Sequence, residues 1–127
     1  MSRDADIKKF AQVTLGCGCP EEVFKIIECR SNIILDGIQI RDRINIGNRL
    51  LIYVVEVNRP DSVEKILKSL VIYGKKEKDS AGFNRFRLVL TADDIGIFQR
   101  DAETIFRSVN NDEKVHLHLI RKADIHI

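Results

Sequence analysis

The stretch Arg49-Leu50-Leu51-Ile52-Tyr53-Val54-Val55-Glu56-Val57 decides the fold, because apolar residues occupy both of its alternating sets of positions. Successive side chains of a strand point to opposite faces of a sheet, so this strand needs cover on both faces. The stretch therefore predicts a strand at the centre of a sheet. Before it, residues 33–46 follow a period of two and lead into Gly47-Asn48, a pair typical of hairpin turns.

On either side of this hairpin, apolar strands alternate with amphipathic helices. Further strands are predicted over residues 9–15, 83–91 and 115–121. Helices are predicted over residues 20–29, 58–74 and 95–109. Gly74 is expected to end the second helix, which leaves residues 75–82 as a charged surface loop. The chain of 127 residues is then a single domain.

The resulting element order is βαββαβ followed by αβ, which predicts an α+β (mixed α/β) fold with a mixed sheet. Its first six elements match a ferredoxin-like βαββαβ sandwich, here extended by a C-terminal αβ unit. A thioredoxin-like sheet is the alternative architecture.

The composition is that of an ordinary globular domain, with 44% hydrophobic and 31% charged residues. The net charge of +2 comes from scattered basic residues, which argues against nucleic acid as a partner. The first residues lack an apolar signal segment, and no run approaches the roughly 20 apolar residues that span a bilayer. We therefore expect a cytoplasmic protein without a membrane partner.

The segment Gly16-Cys17-Gly18-Cys19-Pro20-Glu21-Glu22 carries the candidate functional site. An odd number of cysteines, three in all, is typical of free thiols, metal ligands or redox groups rather than of a disulfide framework. Pro20 suits the first position of a helix, with Cys19 as the capping residue. The unpaired N–H groups of that helix start would favour the thiolate forms of Cys17 and Cys19.

The spacing of Cys17 and Cys19 has two chemical consequences. In an extended chain their Cα atoms would lie about 6–7 Å apart, so a disulfide needs a tight turn, which the neighbouring glycines permit. Such a bond would be easily reduced and would suit a transient redox couple. Alternatively, the two thiolates could bind a thiophilic metal ion such as copper, whereas zinc would require further ligands.

Two histidines could supply those further ligands. His116 and His118 share one face of the last predicted strand, about 7 Å apart, and with Cys17 and Cys19 would form a Cys₂His₂ set. Histidines on a solvated sheet face are the simpler interpretation. Cys29 is predicted to lie about 15 Å from Cys19 along a continuous helix, where it would pack as a small hydrophobic residue.

Other polar groups have structural interpretations beside functional ones. Asp93 and Asp94 precede the third predicted helix, where they would cap its N–H groups or bind Mg²⁺. Arg41, Arg43 and Arg49 flank the hairpin and could contact an anionic partner, although a solvated strand face on which arginines discourage edge pairing is the simpler interpretation.

The position of the Cys-Gly-Cys loop, over residues 13–23, resembles that of the thiol loop in heavy-metal-associated domains and in thioredoxin-like oxidoreductases. Both families normally place two residues between their cysteines, whereas Gly18 alone separates Cys17 from Cys19 here. The resemblance is therefore one of placement.

The leading hypothesis is a small cytoplasmic thiol protein for thiol–disulfide exchange or soft-metal binding. Cys19 would be its more reactive sulfur, and Cys17 would resolve the mixed disulfide or share the metal. The only cofactor that the residues suggest is a thiophilic ion such as copper or zinc. The alternative is a non-catalytic interaction or assembly module, whose hairpin and central sheet bind a protein partner or a second copy of the chain.

Overall fold

The computed structural model describes residues 3–127, which form a mixed α+β fold with a five-stranded mixed sheet and three α-helices. The strands are β1 (Ile27–Leu35), β2 (Ile38–Ile46), β3 (Leu50–Glu56), β4 (Arg85–Ala92) and β5 (Val115–Arg121). The helices are α1 (Arg3–Lys9), α2 (Val63–Ala81) and α3 (Gly96–Val109). A π-helical turn (Phe10–Thr14) follows α1, and 3₁₀ turns cover Glu21–Lys25, Pro60–Ser62 and Lys122–Asp124.

The strands lie side by side in the order β1-β2-β3-β4-β5. The first three strands form an antiparallel meander, and β3, β4 and β5 run parallel. The predicted hairpin turn at Gly47-Asn48 is confirmed, since both residues have positive φ angles, 62° and 56°, between β2 and β3. Asp36 and Gly37 make the other hairpin turn with φ angles of 53° and 74°, as a type I′ turn requires.

Strand β3 lies at the centre of the sheet, as its apolar residues at both parities predict. Leu51, Tyr53 and Val55 face one hydrophobic core, together with α2 and α3. Ile52 and Val54 face a second core on the opposite side of the sheet, which α1 and the segment after it cover. Helices α2 and α3 share a face because both belong to β-α-β crossovers that proceed in the same direction across the sheet.

The strand predicted at residues 9–15 is wrong. Ala11, Val13 and Leu15 alternate like a half-buried strand, but the chain continues α1 into a π-helical turn there. Ile7, Ala11 and Leu15 are four residues apart and all buried, which is a helical spacing, whereas Val13 is 71% exposed. The segment therefore covers the second core instead of pairing with the sheet.

The helix predicted at residues 20–29 is also wrong, because only Glu21–Lys25 are helical and β1 begins at Ile27. The helical spacing of the apolar residues is overridden by pairing with β2, in which Ile27 lies opposite Ile46. The observed order is αβββαβαβ rather than βαββαβ followed by αβ. The ferredoxin-like expectation and its thioredoxin-like alternative both assumed a strand–loop–helix unit at the cysteines, and residues 3–127 contain none there.

Helix α2 continues through the segment predicted as a surface loop. Gly74 lies inside the helix against the ring of Phe86, and the helix ends at Gly82, whose left-handed φ of 78° supplies the cap. Polar contacts hold this last part of the helix on the fold. Glu77 accepts hydrogen bonds from Arg43 and Tyr53, and the Nζ atom of buried Lys78 lies 3.4 Å from a carboxylate oxygen of Asp112.

Candidate functional site

The Cys17–Cys19 pair lies in the loop between the π-helical turn and the first 3₁₀ turn, and the two sulfurs form a disulfide. The Cα atoms are 5.3 Å apart, closer than in an extended chain. Gly16 and Gly18 make this turn with φ angles of 63° and 61°. Since a Cβ atom would meet nothing within 4 Å at either glycine, the backbone angle rather than space requires glycine here.

One hydrogen bond joins the loop to the preceding turn, and a second lies within the loop. The N–H of Cys17 donates to the carbonyl oxygen of Ala11 over 3.0 Å. The N–H of Cys19 donates to Sγ of Cys17 over 3.3 Å. Both cysteines are half-buried at the margin of the second core. The sulfurs are therefore held by the protein and remain partly open to solvent.

The electrostatic environment of the sulfurs differs from the one that the sequence predicts. The helix after Pro20 is a 3₁₀ turn of five residues, and Cys19 does not cap it. Positive charge comes instead from the sheet, because Arg49, Arg85 and Arg87 line the same cavity of about 230 Å³ as the two cysteines. None of these three arginines forms a salt bridge within residues 3–127.

Arg87 is a residue of β4 that also lines this cavity. Its side chain projects from β4 towards the second core, and the residue is only 9% exposed. Its Nη1 atom donates to the carbonyl oxygen of Leu15 over 3.3 Å and lies 2.8 Å from Nε2 of His118, while its Nε atom has no hydrogen-bond partner within the described residues. Burial, followed by the charge of Arg85, lowers the pKa of Arg87.

His116 and His118 lie beside these arginines on β5 rather than beside the cysteines. Nε2 of His116 is 3.4 Å from Nη1 of Arg85. Burial and then the charge of Arg87 lower the pKa of His118 to about 4, and the same causes lower the pKa of His116. The predicted Cys₂His₂ set does not form, because residues 3–127 contain no group of three or more His, Cys, Asp or Glu side chains placed to hold a metal ion.

Cys29 packs as a partly buried hydrophobic residue, as expected, but on β1 instead of near a helix end. Its thiol donates a hydrogen bond to Oδ1 of Asp42 over 3.7 Å. Burial and then the negative charge of Asp42 raise the pKa of the Cys29 thiol. These contacts favour the protonated thiol, so we expect Cys29 to react more slowly than a free cysteine.

A second polar cluster surrounds Asp42, which is 1% exposed. Oδ1 of Asp42 accepts hydrogen bonds from Arg3 over 2.6 Å and from Ser31 over 2.8 Å, whereas Oδ2 has no hydrogen-bond partner among residues 3–127. Oδ2 forms an ion pair with Nε of Arg41 over 3.4 Å, and the same Nε lies 4.0 Å from a carboxylate oxygen of Glu56. Asp42 was not among the predicted site residues, but the sequence carries a signal for it, since Asp42 interrupts the apolar alternation of Ile40 and Ile44 in β2.

Glu56 ends β3 between two surface clefts at the carboxyl end of the parallel strands. Arg41 and Asn58 line the larger cleft, of about 590 Å³, and Asp93, Asp94 and Lys122 line the smaller one, of about 240 Å³. Nζ of Lys122 lies 3.6 Å from Glu56.

Asp93, Asp94 and the hairpin arginines have surroundings that differ from those expected. The expected caps from Asp93 and Asp94 are absent, because the start of α3 has no side-chain cap hydrogen bond. The three hairpin arginines do not form one solvated face. Arg41 contacts Asp42 and Glu56, Arg43 binds Glu77 on α2, and Arg49 lines the cysteine cavity.

No protein-family model, curated protein or solved structure matches this chain. Within residues 3–127, the structure contains no helix that is both long and apolar enough to cross a membrane. Fold and site together define only a class, an α+β protein in which a Cys-Gly-Cys disulfide shares a cavity with arginines of a mixed sheet.

Proposed function

We propose that the protein is a cytoplasmic thiol protein that exchanges disulfides through Cys17 and Cys19. The observation that supports this function is the cavity that Cys17 and Cys19 line together with Arg49, Arg85 and Arg87. Nearby positive charge favours the thiolate over the thiol, and the thiolate is the form that attacks disulfides. Arginine stays protonated at all physiological pH values, so this effect persists throughout that range.

The hydrogen bond from the N–H of Cys19 to Sγ of Cys17 supports different roles for the two sulfurs. A sulfur that accepts an amide hydrogen bond is the better leaving thiolate. An external thiolate therefore attacks Sγ of Cys19, and Cys17 leaves with the electron pair of the broken bond. In the reverse direction, Cys19 carries the mixed disulfide and Cys17 resolves it.

One complete exchange oxidises two substrate thiols and reduces the Cys17–Cys19 disulfide. In the first step the substrate sulfur bonds to Cys19 as the Cys17–Cys19 bond breaks. A second substrate thiolate then attacks the substrate sulfur of the mixed disulfide, so a substrate disulfide forms and the thiolate of Cys19 is released. Two substrate thiols lose two electrons and two protons, and Cys17 and Cys19 take them up.

Trapping the mixed disulfide tests this function and the assignment of roles. In a Cys29→Ser background, which removes the third thiol, reduced Cys17→Ser protein should form a stable mixed disulfide with bis(2-hydroxyethyl) disulfide at Cys19. Reduced Cys19→Ser protein should react more slowly at Cys17. Intact-protein mass spectrometry against time measures both rates.

The proposal fails if neither loop thiol reacts faster than free cysteine at pH 7. In that case, tight Cu(I) binding by the reduced pair would support soft-metal binding instead. Absence of both activities would favour the non-catalytic interaction module, whose partner binding should survive replacement of both loop cysteines by serine.

A further inference from the structure

Three arginines line the cavity beside Cys17 and Cys19. Arg49 reaches it from the turn before β3, and Arg85 and Arg87 reach it from the start of β4. The side chain of Asn84 adds a neutral polar group to the same lining. Within residues 3–127, none of the three guanidinium groups has a carboxylate within salt-bridge distance.

Arg87 is the most informative member of this lining. Burying a charged group without a counter-charge is costly, and a buried arginine ordinarily has a carboxylate partner. Arg87 instead contacts a backbone carbonyl and a neutral imidazole, and its Nε atom is buried without a partner. The missing interaction is one that an anion could supply, since guanidinium groups match the geometry of carboxylates and other oxyanions.

The position of this charge relative to the sulfurs sets the substrate class. A molecule whose sulfur reaches Cys19 would bring its neighbouring atoms into the arginine-lined cavity. The cavity of about 230 Å³ can hold a carboxylate-bearing end group but not a folded protein segment.

We propose that the cavity binds the carboxylate of a small anionic thiol or disulfide, which is the substrate of the Cys17–Cys19 pair. This inference rests on the proposed exchange function. It adds a recognition element, namely the guanidinium groups of Arg49, Arg85 and Arg87, which holds the substrate while its sulfur is attacked. The bound carboxylate also provides the counter-charge that Arg87 lacks.

Exchange rates with three disulfides that differ in charge test the proposal. The probes are 3,3′-dithiodipropionate (anionic), bis(2-hydroxyethyl) disulfide (neutral) and cystamine (cationic), and each rate is divided by the rate of the same probe with 2-mercaptoethanol. The normalised rate should be about tenfold or more higher for the anionic probe than for the cationic one at low salt. The preference should shrink as salt screens the charges.

Substitutions locate the source of the preference. Arg49→Gln and Arg85→Gln should each lower the normalised rate for the anionic probe several-fold more than the normalised rate for the neutral probe, whose own decrease measures the loss of thiolate stabilisation. Arg100→Gln is the matched control, because Arg100 is an exposed arginine on α3 outside the cavity lining. Arg87→Lys keeps the charge of the buried residue but loses its planar donor set, and a folded Arg87→Lys protein should bind the anion more weakly.

A binding measurement separates this inference from the exchange function. Suberate has the length and charges of 3,3′-dithiodipropionate but no sulfur, so its binding to the oxidised protein by calorimetry reports the anion site alone. If Arg49→Gln weakens the binding of suberate, the inference is supported even if exchange is slow. Fast exchange with equal normalised rates for all three probes would overturn the inference and leave the exchange function intact. Inorganic phosphate that binds as tightly as suberate would also overturn it, because the site would then be a general oxyanion site.

Discussion

Nη1 of Arg87 lies 2.8 Å from Nε2 of His118, across the parallel pair of strands β4 and β5. A guanidinium group has only donors, so Nε2 of His118 must accept and the ring must carry its proton on Nδ1. Protonating His118 would place two positive charges in contact. Burial and the charge of Arg87 accordingly lower the pKa of His118 to about 4.

This lowered pKa predicts that the folded protein loses stability in mild acid. Above the ordinary histidine value of 6.5 the ring is neutral in both states, and the contribution to stability is fully present. Between that pH and about 4, the unfolded chain takes up a proton that the folded chain cannot, so the free energy of unfolding falls. Allowing for the partly exposed ring, we expect His118 to account for a loss of about 1–2 kcal/mol.

Urea unfolding at pH 7 and pH 4.5 measures the effect in the wild type and in His118→Gln. Glutamine keeps an acceptor for Arg87 but does not titrate, so the variant should show a smaller decrease between the two pH values. Equal decreases in both proteins would mean that other groups cause the acid sensitivity.

Gly74→Ala should destabilise the fold by about 2–3 kcal/mol, because overpacking outweighs the roughly 1 kcal/mol by which alanine favours a helix. A Cβ atom at Gly74 would overlap the ring of Phe86, which is fully buried in the first core. Gly96→Ala provides the matched control, because Gly96 begins α3 and its added Cβ would meet only a carboxylate oxygen of Asp94, 3.5 Å away. Thermal unfolding of both variants decides whether space or backbone freedom requires glycine at position 74. A stable Gly74→Ala protein would show that Phe86 can move aside.

The three cysteines should differ in reactivity once the disulfide is reduced. Burial and the charge of Asp42 raise the pKa of the Cys29 thiol, so Cys29 is expected to react with iodoacetamide several-fold more slowly than free cysteine at pH 7.5. Cys17 and Cys19 should react faster than Cys29, because arginines line their cavity. Peptide mass spectrometry after timed alkylation gives each rate. The order should disappear in urea, where all three thiols lose their surroundings, and an order that persists in urea would contradict this explanation.

The centre of the fold could be predicted from the sequence because its signals are local. Apolar residues at both parities of β3, the Gly47-Asn48 turn and the alternation of β5 each reflect the geometry of a single element. The amphipathic stripe of α2 can likewise be recognised in the sequence, although the residue at which the helix ends cannot. Gly74 carries the usual sign of a helix end, but only the facing ring of Phe86 shows that glycine is needed there for packing.

The N-terminal part of the fold could not be predicted because its signals are ambiguous or not local. Over residues 9–15 the apolar residues alternate as in a strand, but they also continue the spacing of four from Ile7 to Ala11 and Leu15. The helix forms because it packs these three side chains against the second core. At Ile27 a helical spacing gives way to pairing with Ile46. The arginines of the cysteine cavity are separated from the loop by 30 residues or more of sequence, so only the fold brings them to the sulfurs.

Asp42 is predicted to contribute more to stability than the residues that bind it. Asp42→Asn removes the charge from a site that is 1% exposed, leaving the donors of Arg3 and Ser31 with a weaker acceptor. It also brings an amide N–H₂ towards Arg41 if the amide oxygen keeps the Oδ1 position. A loss of about 2–3 kcal/mol is expected, as for hydrogen bonds to a buried charged group.

The partner variants should cost less for a physical reason. The side chain of Arg3 is 47% exposed. Water can therefore take its place beside Asp42 in Arg3→Ala, which should cost at most about 1 kcal/mol. Ser31→Ala removes one neutral donor and should cost about 1 kcal/mol. Urea unfolding of the three variants gives the order directly. If Arg3→Ala costs as much as Asp42→Asn, the carboxylate serves chiefly to hold α1 on the sheet, and its contacts with β1 are secondary.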